Sequence, residues 1–438
     1  MRLYSTKNRG HYTDLKEAVL RGLPPDNGLY MPEEIPALPA EVLDVIHGMS
    51  FPEIALAVSS SLLQGAIPEP ELRHIVEEAV NFPAPLVQLD EEKYVLELFH
   101  GPSLAFKDFG ARFMAQLMSY FNRGEAQELV ILVATSGDTG GAVAAGFYRT
   151  PGTRVVILYP SGKVSELQEK QLTTLGHNIT ALEVDGTFDD CQAMVKKAFL
   201  DDELTSRIRL TSANSINISR LIPQSFYYFE AYKQLPKGSD AVFCVPSGNF
   251  GNLTAGLLAQ RMGLPVRHFV AATNVNDVVP AYLETGEYRP RPSRRTLSNA
   301  MDVGDPSNFA RMQDLYRDLE ERSTWNNMKA SISGYAYDDE QTKAGMREVY
   351  DRYGYVIDPH GAVGYLALQD YQAQHPGTKG VILETAHPSK FLPDVEAVLQ
   401  RKIEVPERLS KLASRPKEAV PMAADFPRFK AWLQSKLG

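Results

Sequence analysis

Residues 241–263, AVFCVPSGNFGNLTAGLLAQRMG, open with a short apolar run, turn through a polar glycine loop and continue in a helical pattern. That order predicts a buried strand, a loop and a helix start. It recurs along the chain. ELVILVA (128–134) leads into TSGDTGG (135–141) and AVAAGFY (142–148), and RVVILY (154–159) leads through PSGK into VSELQEKQLTTLG (164–176). ITALEV (179–184) precedes DGTF and DDCQAMVKKAFL (189–200), while GVILE (380–384) precedes TAHPSKF (385–391). Strands alternating with helices at this spacing predict an α/β chain whose parallel sheets are covered on both faces, giving three-layer domains. Ligands of such sheets bind beyond the carboxyl ends of the strands, which puts these loops on the edge of interest.

The flanking regions have a different rhythm. The first ninety or so residues carry helical patterns such as SFPEIALAVSSSLLQ (50–64) and EPELRHIVEEAV (69–80), broken by PEEIPALPAEV (32–42) and closed by NFPAPLVQL (81–89). They predict a mostly helical N-terminal unit. Between about 276 and 355, the stretch EYRPRPSRRTLSNAMDVGDPSNF (287–309) suits a long surface excursion, and MQDLYRDLEE (312–321) reads as an exposed helix. A length of 438 residues allows two or three domains with their own cores.

A formal net charge of −9 argues against a nucleic-acid partner or an anionic membrane, which attract basic surfaces. Two cysteines, Cys191 and Cys244, far apart in apolar surroundings, supply neither a disulfide framework nor a CxxC metal site. A reducing, cytoplasmic setting is expected. MRLYSTKNRGHYTDL lacks the apolar core of a secretory signal, and no window has the length of a membrane span. The HExxH pattern is absent and no metal is expected, and the missing GxSxG elbow disfavours an α/β-hydrolase.

In VPSGNFGN (245–252), Gly248 and Gly251 would let the backbone approach a ligand, and amides at a helix start bind phosphate. Asn249 and Asn252 could add side-chain donors. The loop has neither the Lys-Ser/Thr ending of a nucleotide P-loop nor GxGxxG spacing, so it suits a phosphate that stays bound. An ordinary glycine turn is the plainer alternative. TSGDTGG offers hydroxyls at Thr135, Ser136 and Thr139 and could grip a carboxylate or a second phosphate. Asp138 would oppose an anion there unless turned away to cap the helix. NSINISR (214–220) presents Asn214, Ser215 and Arg220, whose guanidinium could clasp a phosphate or simply face solvent. TAHPSKF sets Thr385, His387 and Lys390 on the same edge.

FHGPSLAFKDFGARF (99–113) places Lys107 in an apolar run, with Asp108 beside it and Arg112 a turn further on. Such lysines are commonly a solvated helix face. A desolvated lysine, by contrast, has a lowered pKa and a nucleophilic neutral amine able to hold an aldehyde as a Schiff base. Lysine, phosphate-type loop and second anion-type loop together follow the logic of pyridoxal phosphate. Asp108 and Arg112 are then expected to pair and steady the segment.

HGPSLAFKD, TSGDTGGA, NSINISR and PSGNFGN, in this order and spacing, resemble the threonine synthase family, pyridoxal-phosphate enzymes of the tryptophan-synthase-β-like fold. The opening MRLYSTKNRG and GLPPDNGLYMP resemble the N-terminal region of the family's bacterial and fungal branch. The resemblance implies pyridoxal 5'-phosphate on Lys107, with Gly248, Asn249, Phe250, Gly251 and Asn252 around its phosphate and Thr385 on its pyridine nitrogen. It implies that Thr135, Ser136, Asp138 and Thr139 hold the substrate, O-phospho-L-homoserine, and that Asn214, Ser215 and Arg220 bind its phosphate. Many relatives of this fold have asparagine where Asp138 stands. The implied division is a helical unit over 1–95, a smaller α/β domain over 112–214, and a larger cofactor-binding α/β domain from 96–111 and 215–438. A monomer or weak homo-oligomer is expected. A serine/threonine dehydratase-like lyase would share the lysine and glycine loop without needing a substrate-phosphate clamp. A non-catalytic phosphate-ligand binding protein would not need Lys107.

Overall fold

A computed structural model of the chain describes residues 1–135, 137–317 and 323–437. Two sheets organise it. The larger has the order β12-β11-β10-β13-β5-β4, formed by β4 (Leu86–Gln88), β5 (Lys93–Glu97), β10 (Ala241–Pro246), β11 (Val266–Thr273), β12 (Ile332–Ala336) and β13 (Gly380–Glu384). Only β4 runs antiparallel to its neighbour. The smaller is wholly parallel with the order β14-β8-β7-β6-β9: β6 (Leu129–Ala134), β7 (Thr153–Pro160), β8 (Ile179–Asp185), β9 (Arg209–Ser212) and β14 (Val420–Ala423). Every residue of β6, β10 and β13 is buried, as expected of parallel strands covered on both faces.

The helix Lys107–Asn122 buries Phe109, Phe113, Met114, Leu117 and Met118, spaced three and four residues apart so that they share one face. Each such side chain contributes roughly 1.5–3 kcal/mol on burial. Phe109 meets Phe51 and Phe82 of the N-terminal unit and Tyr227 of the helix Phe226–Gln234. Lys107 is therefore carried on a helix pinned from several sides.

Three sequence expectations change. The N-terminal unit holds helices, including Phe51–Leu63 started by a Ser50/Glu53 capping box, and also an antiparallel sheet of β1 (Arg2–Ser5), β2 (Tyr12–Asp14) and β3 (Tyr30–Pro32). The C-terminal segment, expected in the larger domain, instead adds β14 to the smaller sheet, where Met422, Phe429 and Leu433 pack with Leu132, Leu158 and Leu182. Burial of that apolar face outweighs chain proximity. The exposed helix expected over 312–321 instead begins as the end of a helix Phe309–Tyr316 that packs inward, burying Met312, Leu315 and Tyr316; residues 318–321 of the expectation lie outside the described residues. No helix among the described residues is long and apolar enough to cross a membrane.

Candidate active site

The carboxyl ends of β5, β10 and β13 lead into the Lys107 segment, the 247–252 loop and Thr385. Those of β6 and β9 lead into the 135–139 loop and the 213–220 segment. The two edges touch: the Asn249 amide donates to Ser215 Oγ, and Lys390 Nζ lies 2.7 Å from Asp138 Oδ1. All the predicted regions thus converge on one place.

In the loop after β10, Phe250 takes a left-handed conformation (φ 59°) that turns the chain into the helix Gly251–Arg261. The amides of residues 248 to 252 have no acceptor among the described residues. Backbone N–H groups in such a position are normally satisfied, so five together form a cup for an anion. Gly248 is required by its neighbours, since a Cβ there would come within 2.5 Å of Ala300 O and 2.9 Å of Met301 Cα. The two asparagines do not supply donors to the cup as expected. Asn252 accepts from Ser247 Oγ (2.8 Å) and donates to Pro246 O (2.8 Å), while Asn249 donates to Ser215 and accepts from Ser307 N (2.6 Å). Their side chains are spent in building the loop.

Lys107 is partly exposed as a residue, but protein is dense around its amine. That desolvation pulls its pKa from 10.5 to about 8; Asp138 opposes the shift, and Arg220 and Lys390 add to it. Its Nζ makes no hydrogen bond or ion pair among the described residues. The expected Asp108–Arg112 pair is absent. Asp108 accepts from Ser103 N (2.8 Å), its Oδ1 is buried without a partner, and burial lifts its pKa to about 6. Arg112 instead donates to the carbonyls of Glu78 and Ala79, which close the preceding helix.

In the loop after β6, Thr135 Oγ1 accepts from Gly137 N (3.0 Å) and Gly140 N (2.9 Å), so this hydroxyl shapes the helix start rather than facing a ligand. Asp138 does not cap the helix. Its carboxylate is buried against Lys390 and also accepts from Gln168 Nε2 (3.1 Å). Burial alone would raise its pKa, but Lys390, then Lys107 and the hydrogen bonds, outweigh this and hold it well below the ordinary value. The half-buried Thr139 keeps a hydroxyl without a partner among the described residues, as do the amides of Asp138 and Thr139. Ser136 lies outside the described residues.

Arg220 is 3% exposed. Its Nη1 donates to Ala213 O (2.6 Å), its Nε has no partner, and no carboxylate stands within ion-pair distance among the described residues. Desolvation lowers its pKa to about 10, with Asp108 opposing. Gly110 makes room for it, because a Cβ there would sit 2.7 Å from Nε. Asn214 and Ser215 stand half-buried beside it.

Sequence reasoning missed the residues that hold this arrangement. Arg311, fully buried, donates to the carbonyls of Tyr30 (3.0 Å) and Ile216 (2.7 Å) and to Asn308 Oδ1 (2.8 Å), tying the N-terminal sheet to the 214–217 turn. Its signal was an arginine on the apolar face of Phe309, Met312 and Tyr316. Behind Thr385, Glu384 Oε1 accepts from Asp358 N (2.7 Å), Asp358 Oδ2 meets His360 Nδ1 (2.6 Å), and Ala300 N donates to His360 Nε2 (3.2 Å). This chain runs from Thr385 to the Ala300 carbonyl that packs on Gly248.

Pyridoxal phosphate fits these residues. The amides of 248–252 match its phosphate, the unpartnered amine of Lys107 its aldehyde, and the Thr385 hydroxyl, without a hydrogen bond among the described residues, its ring nitrogen.

Comparison with known proteins agrees. A family described as "Pyridoxal-phosphate dependent enzyme" matches residues 79–385, "Threonine synthase N terminus" matches 2–80, and "Threonine synthase, C-terminal" matches 361–432. The chain is 46% identical to threonine synthase of Escherichia coli (strain K12) over 97% of each chain. The crystal structure of the Escherichia coli protein superposes with a TM-score of 0.91 at 44% identity, covering 99% of this chain and 100% of that one. A PLP-bound threonine synthase structure from Brucella melitensis gives 0.94 at 34% identity, covering 100% and 99%. Likeness of this extent, reaching both ends and every loop described above, places the chain in the threonine synthase family of pyridoxal-phosphate-dependent enzymes.

Proposed function

We propose that this chain converts O-phospho-L-homoserine and water to L-threonine and phosphate, the last step of threonine biosynthesis, with pyridoxal 5'-phosphate as cofactor. The observation that carries this is a pair of cations, the partly exposed Lys107 and the buried Arg220, that lack carboxylate partners among the described residues and lie beside two helix starts with free amides. Burying an unpaired guanidinium is costly, so the fold holds Arg220 for a ligand that brings an anion, and Lys107 for one that brings a carbonyl. A ligand with one phosphate would leave half of this unexplained. That separates the proposal from a dehydratase acting on unphosphorylated substrate.

Gly248, Asn249, Phe250, Gly251 and Asn252 would hold the cofactor phosphate through their amides, Lys107 its aldehyde, and Thr385 its ring nitrogen. When bound, the cofactor supplies an electron sink for charge developing at the substrate's α-carbon. Lys107, with a pKa near 8, is partly neutral at ordinary pH and can take the α-proton and return it. Arg220, with Asn214 and Ser215, would hold the substrate phosphate while the Cγ–O bond breaks. Thr139 and the amides at Asp138 and Thr139 would hold the substrate carboxylate, Thr135 would set the loop's shape, and Ser136 is a further candidate for the substrate. A proton leaves Cβ as the Cγ–O bond breaks and phosphate departs; Cγ then gains a proton, water gives its hydroxyl to Cβ, and return of the α-proton completes threonine.

The proposed division is 1–95, 112–214, and a larger unit from 96–111 with 215 onward, corrected so that β14 and the last helix join the smaller unit. We further propose a cytoplasmic monomer or weak homo-oligomer that binds no nucleic acid. The test of function is direct. Purified protein given pyridoxal phosphate should show a visible band removable by borohydride, then release phosphate and L-threonine from O-phospho-L-homoserine. A band without phosphate release would move the assignment to a dehydratase-like lyase.

A further inference from the structure

The loop after β6 combines two opposed features. The amides of Asp138 and Thr139 open a ten-residue helix and are free to take an anion, yet the first of those residues carries a buried carboxylate. A buried negative charge at the mouth of an anion site repels the ligand. The fold answers it from the opposite sheet. Lys390, on the short helix Pro388–Phe391 after β13, reaches across with its side chain 1% exposed and places Nζ 2.7 Å from Asp138 Oδ1. The same ammonium donates to Ser103 O (2.8 Å), which also accepts from Gln171 Nε2 (2.9 Å), and Gln168 donates to the Asp138 oxygen. Both ends of the pair are thus fixed by further hydrogen bonds. Lys107, though close enough to influence Asp138, makes no ion pair with it and stays free.

We infer that Lys390 is a positioning residue for the reaction: by cancelling the charge of Asp138 and holding that carboxylate off the helix start, it allows the 138–139 amides to take the substrate's carboxylate. This rests on the proposed function, in which that loop receives an amino-acid carboxylate. The role differs from general stabilisation because it predicts which ligand suffers. Removing the ammonium should weaken binding of a carboxylate at this loop while leaving phosphate binding at Arg220 unaffected.

The experiment uses the holoenzyme as wild type, Lys390→Met, Asp138→Asn and the double variant, and measures KM for O-phospho-L-homoserine, inhibition by L-threonine and inhibition by inorganic phosphate. Lys390→Met should raise KM and weaken L-threonine inhibition about tenfold or more, with phosphate inhibition unchanged. The double variant should behave as Asp138→Asn, because once the carboxylate is neutral nothing remains to cancel. Unchanged L-threonine inhibition in Lys390→Met, or an equal loss for phosphate, overturns the inference. Should Lys390→Met not fold, comparing the double variant with Asp138→Asn decides alone: equal behaviour supports cancellation, and a tenfold poorer double variant refutes it. A wild type that releases no phosphate would sink the functional proposal separately, since the shift of the cofactor band on adding L-threonine still reads the coupling of 138 with 390.

Discussion

The helix-opening loops after β10 and β6 share a plan and differ in charge. Each follows a fully buried strand, each opens a helix with unsatisfied amides, and each needs glycine where it packs against a neighbour. The 247–252 loop has no charged residue, and its asparagines lock its own shape. The 135–139 loop carries Asp138 paired with Lys390 and faces the region of Arg220 and Lys107. A permanent ligand needs a rigid neutral cup, whereas a substrate that arrives charged and leaves as two products is better met by charges that it completes on binding.

Lys107 serves both sides, so removing it should break both together. Lys107→Ala is expected to lose turnover by about 10³-fold or more, along with the borohydride-sensitive band. Stopped-flow or endpoint phosphate release with a visible spectrum checks this; a variant keeping full activity would remove Lys107 from the centre. Arg220→Ala should separate the sides. Losing one partner of a buried charged hydrogen bond costs roughly 2–5 kcal/mol, so kcat/KM for the phosphorylated substrate should fall about 30- to 5000-fold while the cofactor stays bound. Unchanged kinetics would take Arg220 out of the site.

Gly248→Ala should separate them the other way. The added methyl would meet backbone at Ala300 and Met301, which yields less readily than a side-chain tip. An overpacking cost of roughly 1–3 kcal/mol predicts cofactor affinity weaker by about 5- to 150-fold, with KM for substrate restored at saturating cofactor. Titration of the cofactor-free protein measures it, and equal affinity would show that the cup tolerates a Cβ.

The charge contrast was only half legible in the sequence. The strand–loop–helix units at β6, β7, β8, β10 and β13 could be read because apolar runs, glycine loops and helical patterns are local signals. The three- and four-residue strands β1, β2, β3 and β14 could not, since a few residues carry no usable period and β14 finds its place only against β8. Within the site, Lys107, the 248–252 loop and Arg220 were marked by local context. The partner of Asp138 was not, because Lys390 follows a strand of the other sheet and its burial depends on tertiary packing. Arg311 was hidden for the same reason: its acceptors are carbonyls of Tyr30 and Ile216, which leave no mark on sequence.

Asp108 gives the smallest effect and the finest test of where charge sits. It is fully buried next to Lys107, accepts one amide hydrogen bond and has a pKa raised by burial from 3.8 to about 6. In the unfolded chain it ionises near 3.8, so between roughly pH 4 and 6 the folded protein holds a proton that the unfolded chain has lost. The stability from this group is complete below the lower value and is lost as pH rises through the upper one. Asn at this position keeps an acceptor for Ser103 N and cannot ionise. Relative to Asp108→Asn, the wild type should lose about 1 kcal/mol of unfolding free energy between pH 5 and pH 6, read by urea melts at each pH. A flat difference would mean that Asp108 is already ionised at pH 5. It would then act as a standing counter-charge to Arg220, and the region around the substrate loop would be less positive than the contrast with the neutral cup requires.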